Sequence, residues 1–500
     1  MSSTTATAKG AIGPMSRRRV WSIVIAVTLI AALTVASPTI RSSGPATELA
    51  EATSGVVADD GPVDGVLVSR TLFRHAGAAI LMPANTNDDV RRRAKAAARR
   101  YDTPTLAVSP ARRAAVRAEL ARLAPERVVV LGAASSVARG LTDALVTTDP
   151  DDLIEQHAAQ RGTTLVYLGA DASPDAAFTA EAAGAQVVRV PVDDPRSTGE
   201  SVRMLREHPD ATVRAFGTGF GDSRAFARQT RAARTQPELP GGGQLIFPGR
   251  RLVALYGSPG DPSLGPLGAQ GAQASVERVD QLAAQYRPFS ATPVVPAFEI
   301  IATVASSEPG PDGTYSSMID PQRLRPWVQA AQDAGVYVTL DLQPGRADFL
   351  TQAKRYASLL AEPNVGLALD PEWRLKPDQV HLTQIGSVDV DEVNRTSAWL
   401  ADLTRARGLP QKLLVVHEFD TDMVVGRDRL DTARPELQVV IHADGHGSPP
   451  VKKGTWQRVI ADLPANVWLG WKNFYTEDTP TFSPARTMQV RPTPSFVSYQ

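Results

Sequence analysis

The chain has no cysteine among its 500 residues. This absence excludes disulfide bonds, thiolate metal sites, a cysteine nucleophile and a lipid-modified cysteine anchor. An excess of one charge sign is also missing, because 53 Lys and Arg residues balance 53 Asp and Glu residues. No basic stripe with interleaved aromatic residues is present, so the sequence predicts no nucleic-acid partner. Five hundred residues exceed one ordinary domain and predict two.

The N-terminal region contains one uncharged apolar run, Val20–Ala36, directly after Arg17-Arg18-Arg19. The arginines predict a cytoplasmic tail over residues 1–19 and a transmembrane anchor over 20–36, with the C-terminal bulk extracytoplasmic. The alternative is a cleaved signal ending at Thr34-Val35-Ala36, which would make the protein secreted. Either way the expected localisation is the cell membrane or beyond it. Residues 37–62 are rich in Ser, Thr, Pro and Gly and predict a disordered linker.

Residues 63–245 alternate between strand and helix patterns. Short apolar runs such as Ala78–Pro83, Arg127–Gly132 and Thr164–Gly169 are separated by Ala- and Arg-rich helical stretches. Continuous apolar strands between helices predict a Rossmann-like parallel sheet covered on both faces. The glycines of Gly132-Ala-Ala-Ser-Ser136 lack the full dinucleotide fingerprint, so no cofactor is expected here.

One part of this α/β region carries a family resemblance. Thr103-Pro-Thr-Leu, a helix, and then Pro125-Glu-Arg-Val-Val-Val-Leu-Gly resemble the type 2 cell-wall-binding repeat of exported Gram-positive proteins. The resemblance covers one or two repeats. It implies that this domain binds cell-wall polysaccharide or peptidoglycan.

Residues 246–500, which follow Gly241-Gly-Gly, repeat a strand-and-helix pattern eight times. Helical segments separate most of the strands, and about 250 residues with eight strands predict a (β/α)8 TIM-barrel-like domain. An open doubly wound sheet is the alternative. The predicted strands are Leu252–Ser258, Pro293–Ile300, Val336–Gln343, Val365–Glu372, Leu413–Phe419, Leu437–Asp444, Val467–Lys472 and Ser495–Tyr499.

Nearly every predicted barrel strand ends on polar side chains. The C-terminal ends of the strands form the reactive face of such a barrel, so these side chains are expected to converge at one mouth. Alternation along the strands predicts that the inward group contains Tyr256, Ser258, Glu299, Asp341, Gln343, Asp370, Glu372, His417 or Glu418, His442, Asp444, and Trp471 or Lys472.

The fourth strand ends in Asp370-Pro-Glu372-Trp373. This tail resembles the Asp-x-Glu-Trp end of the fourth strand in chitinase-like glycosidases, whereas the upstream Asp-Gly pattern of that family is absent. The resemblance implies that Glu372 is a general acid and that Asp370 orients it. Paired carboxyls of this kind protonate a leaving oxygen and stabilise an oxocarbenium-like state. We therefore predict Glu372, Asp370 and Asp341 as catalytic residues of a glycoside hydrolase.

The expected substrate is a cell-envelope glycan. Aromatic side chains close to the strand ends offer flat faces for sugars, and the polar strand ends offer hydrogen bonds. The predicted substrate-binding residues are Tyr256, Glu299, Gln343, Trp373, His417, His442, Asp444, Trp471, Lys472 and Tyr475, with Phe474 beside them.

The whole run from Phe247 is similar to a family of uncharacterised surface proteins of high-GC Gram-positive bacteria. The stretches that carry this similarity are Ala254-Leu-Tyr-Gly-Ser-Pro-Gly, Val295-Pro-Ala-Phe-Glu-Ile-Ile-Ala, Leu340-Asp-Leu-Gln-Pro-Gly, Ala368-Leu-Asp-Pro-Glu-Trp and Trp471-Lys-Asn-Phe-Tyr. The similarity implies a barrel at the cell surface and implies no known activity.

Two other functions remain open from the sequence. His442-Ala-Asp444-Gly-His446, with Asp341, Asp370 and His417, offers ligands for a divalent ion that would activate water, although the spacing is not a specific metal signature and no metal ligand is assigned. The predicted seventh strand has no carboxylate at its tip, which favours a barrel that binds glycan without hydrolysing it, or a structural envelope protein.

Overall fold

The computed structural model describes residues 47–133, 135–155 and 162–500. The predicted tail, the predicted anchor and most of the predicted linker lie outside these residues. Among the described residues, no helix combines the length and apolar character needed to cross a bilayer. The predicted linker extends to residue 62, yet Gly55–Val57 already forms a strand that pairs in parallel with Thr212–Phe216.

The α/β region contains two four-stranded parallel sheets, where one sheet was expected. In spatial order, the first consists of Thr105–Val108, Ala78–Pro83, Arg127–Val130 and Leu145–Thr147, and the second of Gly55–Val57, Thr212–Phe216, Thr164–Leu168 and Gln186–Arg189. A short antiparallel pair, Glu48–Leu49 with Phe73–His75, completes the strands of this region. The helices are Gly65–Leu72, Asp88–Arg100, Arg113–Leu123, Pro174–Ala182, Gly199–Glu207 and Ser223–Thr235.

Side chains of the two sheets pack in one buried core. The alternation of strands and helices in this region therefore resembles that of a single sheet. Ile80 and Met82 of one sheet belong to the same buried cluster as Val166 and Leu168 of the other. The helix Pro174–Ala182 is buried along most of its length and contributes to this cluster. Alternating strand and helix patterns report local structure, whereas the break between the sheets depends on which strands pair.

Local sequence explains where the helices begin. The helix Asp88–Arg100 is a clear example, since the side chain of Asn87 accepts a hydrogen bond from the amide of Val90. Acidic residues occupy its first turn and arginines its last. This arrangement satisfies a free amide at the N-terminus and complements the helix dipole at both ends.

The C-terminal region is a closed barrel of eight parallel strands, so the predicted (β/α)8 barrel is confirmed. Closure is shown by the parallel pairing of the first strand with both the second and the last. The strands are β1 (Arg251–Gly257), β2 (Val294–Ala305), β3 (Tyr337–Leu342), β4 (Val365–Leu369), β5 (Lys412–Glu418), β6 (Leu437–Ala443), β7 (Trp468–Asn473) and β8 (Phe496–Tyr499).

Helices surround most of the barrel. They are Ala272–Tyr286 after β1, Pro321–Asp333 after β2, Phe349–Arg355 and Ala357–Leu360 after β3, Val390–Ala406 after β4, Pro449–Val459 after β6 and the short Pro484–Thr487 after β7. The link from β5 to β6 has only single-turn helices at Thr421–Met423 and Arg427–Arg429. A buried apolar cluster between strands and helices holds the two layers together.

The segment that joins the α/β region to the barrel closes the barrel floor. Leu239, Ile246 and Phe247 belong to the same buried cluster as Leu252 of β1 and Leu413 of β5. Gly241, Gly242 and Gly243 all have positive φ angles of 72° to 86°, a conformation that glycine adopts without a steric penalty. Leu239 lies before the predicted boundary at residue 245, yet its side chain is part of the barrel interior.

Candidate functional site

The C-terminal ends of the barrel strands gather a dense group of ionisable side chains. Inward-facing positions near the ends of β1 to β6 place Tyr256, Glu299, Asp341, Asp370, His417 and His442 in the interior, and each is at most 1 % exposed. Period-two alternation directs these side chains inward, and parallel pairing brings the strand ends to one level. Within the described residues, the mouth therefore has a base of buried ionisable groups, which we call the buried cluster.

His417 is the centre of the buried cluster. Its Nδ1 lies 3.0 Å from Oδ2 of Asp444, and its Nε2 lies 3.0 Å from Oε1 of Glu299. Burial alone would lower the pKa of His417, but the charge of Glu299 and the hydrogen bonds to both carboxylates raise this pKa well above its usual value. His417 is therefore an imidazolium that donates to two carboxylates.

The two carboxylates bonded to His417 are ionised. Burial would raise the pKa of Glu299, but the charge and hydrogen bond of His417 outweigh burial and lower it to about 2. Burial opposes ionisation of Asp444 as well, and the hydrogen bond and charge of His417 lower its pKa to about 2. Asp444 also lies at the end of β6, where its backbone amide donates to the carbonyl of Glu418.

Three other carboxyls of the mouth have raised pKa values. Burial raises the pKa of Asp341, whose Oδ2 accepts a hydrogen bond of 2.8 Å from Tyr256. Burial, and then the charges of Glu372 and Asp341, raise the pKa of Asp370 well above its usual value. Burial and the charge of Asp444 raise the pKa of Glu372 to about 7. The mouth thus contains both neutral and ionised carboxyls at neutral pH.

A cavity of about 340 Å³ opens above the buried cluster. Four of the side chains predicted at the site line it: Glu372, Asp444, Lys472 and Phe474. The Lys472 ammonium also lies 3.7 Å from the centre of the Tyr256 ring. The remaining lining residues are Phe419, Gly445, His446, Thr455 and Gln500.

Glu372 also borders a second cavity of about 330 Å³. Trp373, His381, Leu382 and Gln384 line this second cavity. The single turn Pro371–Trp373, which follows β4, carries Glu372 and Trp373 to this position. Arg374 holds the end of the turn through an ion pair of 3.0 Å with Glu392. Glu372 therefore borders both cavities.

Buried polar groups also hold the loops around the first cavity. Asp478 accepts from the backbone amides of Gly447 and Phe474, both at 2.9 Å, and pairs with Lys452 at 2.9 Å. These bonds tie the loop after β6 to the loop after β7. Gly445 is required between them, because a Cβ at this position would lie 2.7 Å from Thr455 Cγ2.

Several predicted site residues lie beneath the cavity, where they contact other members of the buried cluster. Gln343 accepts from the Ala305 amide through Oε1, and its Nε2 lies 3.4 Å from the Tyr256 hydroxyl. His442 is neutral, because burial lowers its pKa to about 3, and its Nε2 lies 3.3 Å from Ser498 Oγ. Tyr256, Glu299, Asp341, Asp370 and His417 occupy the same buried level.

Two predicted sugar-binding aromatics lie away from the cavity. Trp471 points outward from β7 and packs against Trp456 and Phe482, at ring distances of 5.5 and 5.3 Å. Its neighbour Lys472 takes the inward position, as alternation requires. Tyr475 rests on Tyr499 at 5.3 Å and does not line the cavity. The alternative inward residue Glu418 points outward and pairs with Arg427 at 2.8 Å.

Some lining residues were missed at the sequence level. Gly445 and Gln500 each directly follow the last residue of a predicted strand, so extending those strands by one position would have found them. Phe419 already ended the predicted fifth strand, but it was not assigned to the site. Thr455 comes from the helix Pro449–Val459, and no strand-end rule identifies it.

Among the described residues, two groups of side chains have ligand atoms within 4.8 Å of one another: Glu299, His417 and His442 in one, and Asp370, Glu372 and Asp444 in the other. In the first group both His417 nitrogens are already hydrogen bonded. The second group has the oxygen donors that hard cations prefer.

Resident positive charges fit the second group better than a metal does. The charges of His417 and Lys472 help to lower the pKa of Asp444, and they limit the rise in the pKa of Glu372. These two cations balance the ionised Glu299 and Asp444, so the mouth does not need a metal ion for charge balance.

Comparisons with known proteins give no family assignment. No family model matches the chain, and no curated protein matches it. Two solved structures are similar to it at 12 % identity and a TM-score of 0.30, covering 50 % of this chain and 92 % of theirs. One is a xylanase and α-amylase inhibitor protein in complex with trehalose, and the other is such an inhibitor from Scadoxus multiflorus. At this TM-score the likeness carries no argument, and the barrel is assigned from its own strand pairing.

Proposed function

We propose that the barrel mouth binds a cell-envelope glycan and hydrolyses a glycosidic bond, with Glu372 as the general acid. The observation that carries this proposal is that Glu372 lines both cavities at the mouth. A glycosidic oxygen joins the sugar on one side to the leaving group on the other, so the acid that protonates it must lie between their binding sites.

The protonation state of Glu372 supports the same role. A pKa of about 7 keeps a useful fraction of the carboxyl protonated at neutral pH and still allows fast proton transfer. Asp370 supports it at close range, because one oxygen of each carboxyl lies within 4.8 Å of the other. Burial and the charges of Glu372 and Asp341 raise the pKa of Asp370 well above its usual value, which favours a neutral Asp370 when Glu372 gives up its proton.

The proposal places the protein at the cell envelope. The apolar run after Arg17-Arg18-Arg19 would anchor it, and the α/β region would hold it on wall polysaccharide or peptidoglycan. Protease treatment of intact cells tests this part of the proposal: degradation of the barrel from outside supports it, and protection of the barrel until the cells are lysed contradicts it.

The test of the chemistry is product release from isolated cell walls and from a panel of purified wall polysaccharides. We expect the full chain to release new reducing ends and Glu372→Gln to lower kcat by about 10²–10⁴-fold, the usual contribution of a general acid. Glu418→Gln is the matched control, because Glu418 is also buried with a pKa raised to about 7 but points away from both cavities. We expect this control to keep its activity.

Two results would favour the other functions. Binding to wall glycan without any product, in the wild type and in Glu372→Gln alike, would indicate a binding module without catalysis. Activity that disappears on chelation and returns with one divalent ion, together with that metal in the purified protein, would indicate a metal-dependent hydrolase.

A further inference from the structure

Asp444 is the ionised carboxylate of the mouth that reaches the cavity. It ends β6 and lines the cavity beside Glu372 and Lys472. Its Oδ2 accepts the hydrogen bond from His417, whereas its Oδ1 has no hydrogen-bond partner among the described residues. A buried, ionised and unpaired oxygen is costly unless it serves a ligand or a reaction.

The other carboxyls of the mouth are poor candidates for a second catalytic group. Asp341 and Asp370 are buried beneath the cavity and do not line it, and the pKa of each is raised. Glu299 is ionised but completely buried, and its Oε1 accepts from His417. Asp444 alone among these carboxyls combines ionisation with a place on the cavity wall.

The spacing of Asp444 and Glu372 suits one of the two glycosidase geometries. One oxygen of each carboxyl lies within 4.8 Å of the other. Inverting enzymes separate their two carboxyls by about 6.5–9.5 Å to leave room for a water, whereas retaining enzymes hold them about 5–5.5 Å apart. An oxygen pair within 4.8 Å is closer than the inverting spacing and is compatible with the retaining one.

We propose that Asp444 is the catalytic nucleophile of the hydrolysis, so that the reaction retains the anomeric configuration. This inference rests on the proposed function, in which Glu372 is the acid. The end of β7 has no carboxylate to act as the nucleophile, and Asp444 at the end of β6 takes this role.

The reaction has two balanced steps. In the first, Asp444 bonds to the anomeric carbon while the bond to the leaving oxygen breaks and Glu372 gives that oxygen its proton. In the second, Glu372 takes a proton from water as the water oxygen bonds to the anomeric carbon and the bond to Asp444 breaks. Glu372 is protonated again, Asp444 is a carboxylate again, and no other co-reactant is needed.

His417 and Glu299 act as positioning residues for this nucleophile. His417 holds Oδ2 of Asp444 and leaves Oδ1 for the sugar. Glu299 fixes the other nitrogen of the same ring. A protonated Glu372 can act as the acid, and an ionised Asp444 can act as the nucleophile. Contrasting environments divide these two roles between paired carboxyls in other enzymes as well.

The first test is trapping of the covalent intermediate on the wild-type full chain. Once the released sugar is known, its 2,4-dinitrophenyl 2-deoxy-2-fluoro glycoside is the probe, because fluorine slows the second step more than the first. We expect the protein to gain the mass of one fluorosugar, carried by the peptide that contains Asp444. A label on another residue, or no label while the probe's natural counterpart is hydrolysed, would overturn the proposal.

The second test is the stereochemistry of the product. Proton NMR of freshly released sugar should show the starting anomer, and the other anomer would contradict Asp444 as nucleophile. Retention by itself is not sufficient, because an acetamido group on the substrate can also attack the anomeric carbon. The 2-fluoro probe lacks that group, so labelling distinguishes the two routes.

The third test uses variants in which an amide of nearly the same size replaces the carboxyl group. We expect Asp444→Asn to lower kcat by at least about a hundredfold and Glu418→Gln, its matched control, to keep activity. Circular dichroism checks that both variants fold. Asp444→Asn with full activity refutes this inference alone, whereas a wild type that releases no product from any wall glycan refutes the proposed function together with it.

Discussion

The two ends of the barrel differ sharply, although the same eight strands build both. At the mouth, the inward positions carry Glu299, Asp341, Asp370, His417 and His442. At the floor, the inward positions are apolar, and the chain entering the barrel adds a plug of apolar side chains. Burying charged groups at the mouth costs free energy, whereas burying apolar side chains at the floor stabilises the barrel.

The comparison also shows that cavity size is a poor guide to function here. A cavity of about 520 Å³ lies at the floor end, lined by Gln411, Pro435 and Trp468 among others, and is larger than either cavity at the mouth. Its lining contains one arginine but no carboxylate and no imidazole. Proton transfer needs groups that titrate near the working pH, so the smaller mouth cavities are the chemical site.

The largest stability effect is expected at the floor. Phe247 is buried in the plug, with its ring 5.0 Å from that of Trp468. Phe247→Ala should lower the free energy of unfolding by about 3–5 kcal/mol, because it removes a large ring from a closed interior. Urea unfolding measures this loss. A loss below about 1 kcal/mol would show that the plug does not stabilise the barrel.

At the mouth, removing the central imidazolium should cost somewhat less. His417→Gln leaves two buried carboxylates with at most one good donor, and we expect a loss of about 3 kcal/mol near pH 6. The raised pKa of His417 makes its contribution complete below the unfolded-state pKa of about 6.5. The lowered pKa of Glu299 makes its contribution complete above about 4.3.

The pH dependence of this loss is the check. Urea unfolding of wild type and His417→Gln should differ most between about pH 4.3 and 6.5. The difference should narrow as the pH falls through the folded pKa of Glu299 at about 2, and also as the pH rises through the folded pKa of His417. A difference that does not change with pH would contradict an imidazolium bonded to two carboxylates.

The pH profile of activity should distinguish Glu372 from Glu418, whose pKa values are both raised to about 7. Glu372 must be protonated to act, so kcat/KM should fall as pH rises through about 7, and it should fall again as pH drops toward the pKa of about 2 of Asp444. Glu418→Gln should keep the limb near pH 7, because Glu418 points away from the cavities. If the limb near pH 7 moved in Glu418→Gln, it would report the titration of Glu418 and not that of Glu372.

At alkaline pH the smallest effect is expected from Lys412, which begins β5 at the floor end of the barrel. It is fully buried, its Nζ donates to the carbonyls of Glu362 and Val365, and burial lowers its pKa to about 7. A base with a lowered folded pKa loses stability as pH falls from its unfolded value toward 7. Wild type should therefore gain stability between pH 7 and 10.

Lys412→Met should abolish that gain while changing stability at pH 9 by less than about 1.5 kcal/mol, since the side chains are similar in volume. Thermal unfolding at pH 7 and pH 9 measures both quantities. Equal slopes in the two proteins would show that Lys412 titrates normally. Lys412→Met should not change the activity at the mouth. An unchanged activity would show that the two ends of the barrel are independent.

Much of this architecture followed from local pattern. The bounds of β3, β5 and β6 differ from the predicted strands by at most one residue at each end, because apolar runs between turn residues mark strands reliably. Alternation then correctly placed Asp341 and His442 in the interior. The same rule left two choices undecided, His417 or Glu418 and Trp471 or Lys472, since the inward position depends on the register with the neighbouring strands.

The sequence alone determined which residue types end the strands and that the strands repeat with helices between them. Only the tertiary structure decided that Glu299 and Asp444, 145 positions apart in the chain, bind opposite nitrogens of one imidazole. It also decided that the α/β region has two sheets and that Leu239 seals the barrel floor. The reason is physical: alternation and turn signals act over a few residues, whereas protonation states and cavities arise from groups that meet only when the barrel closes.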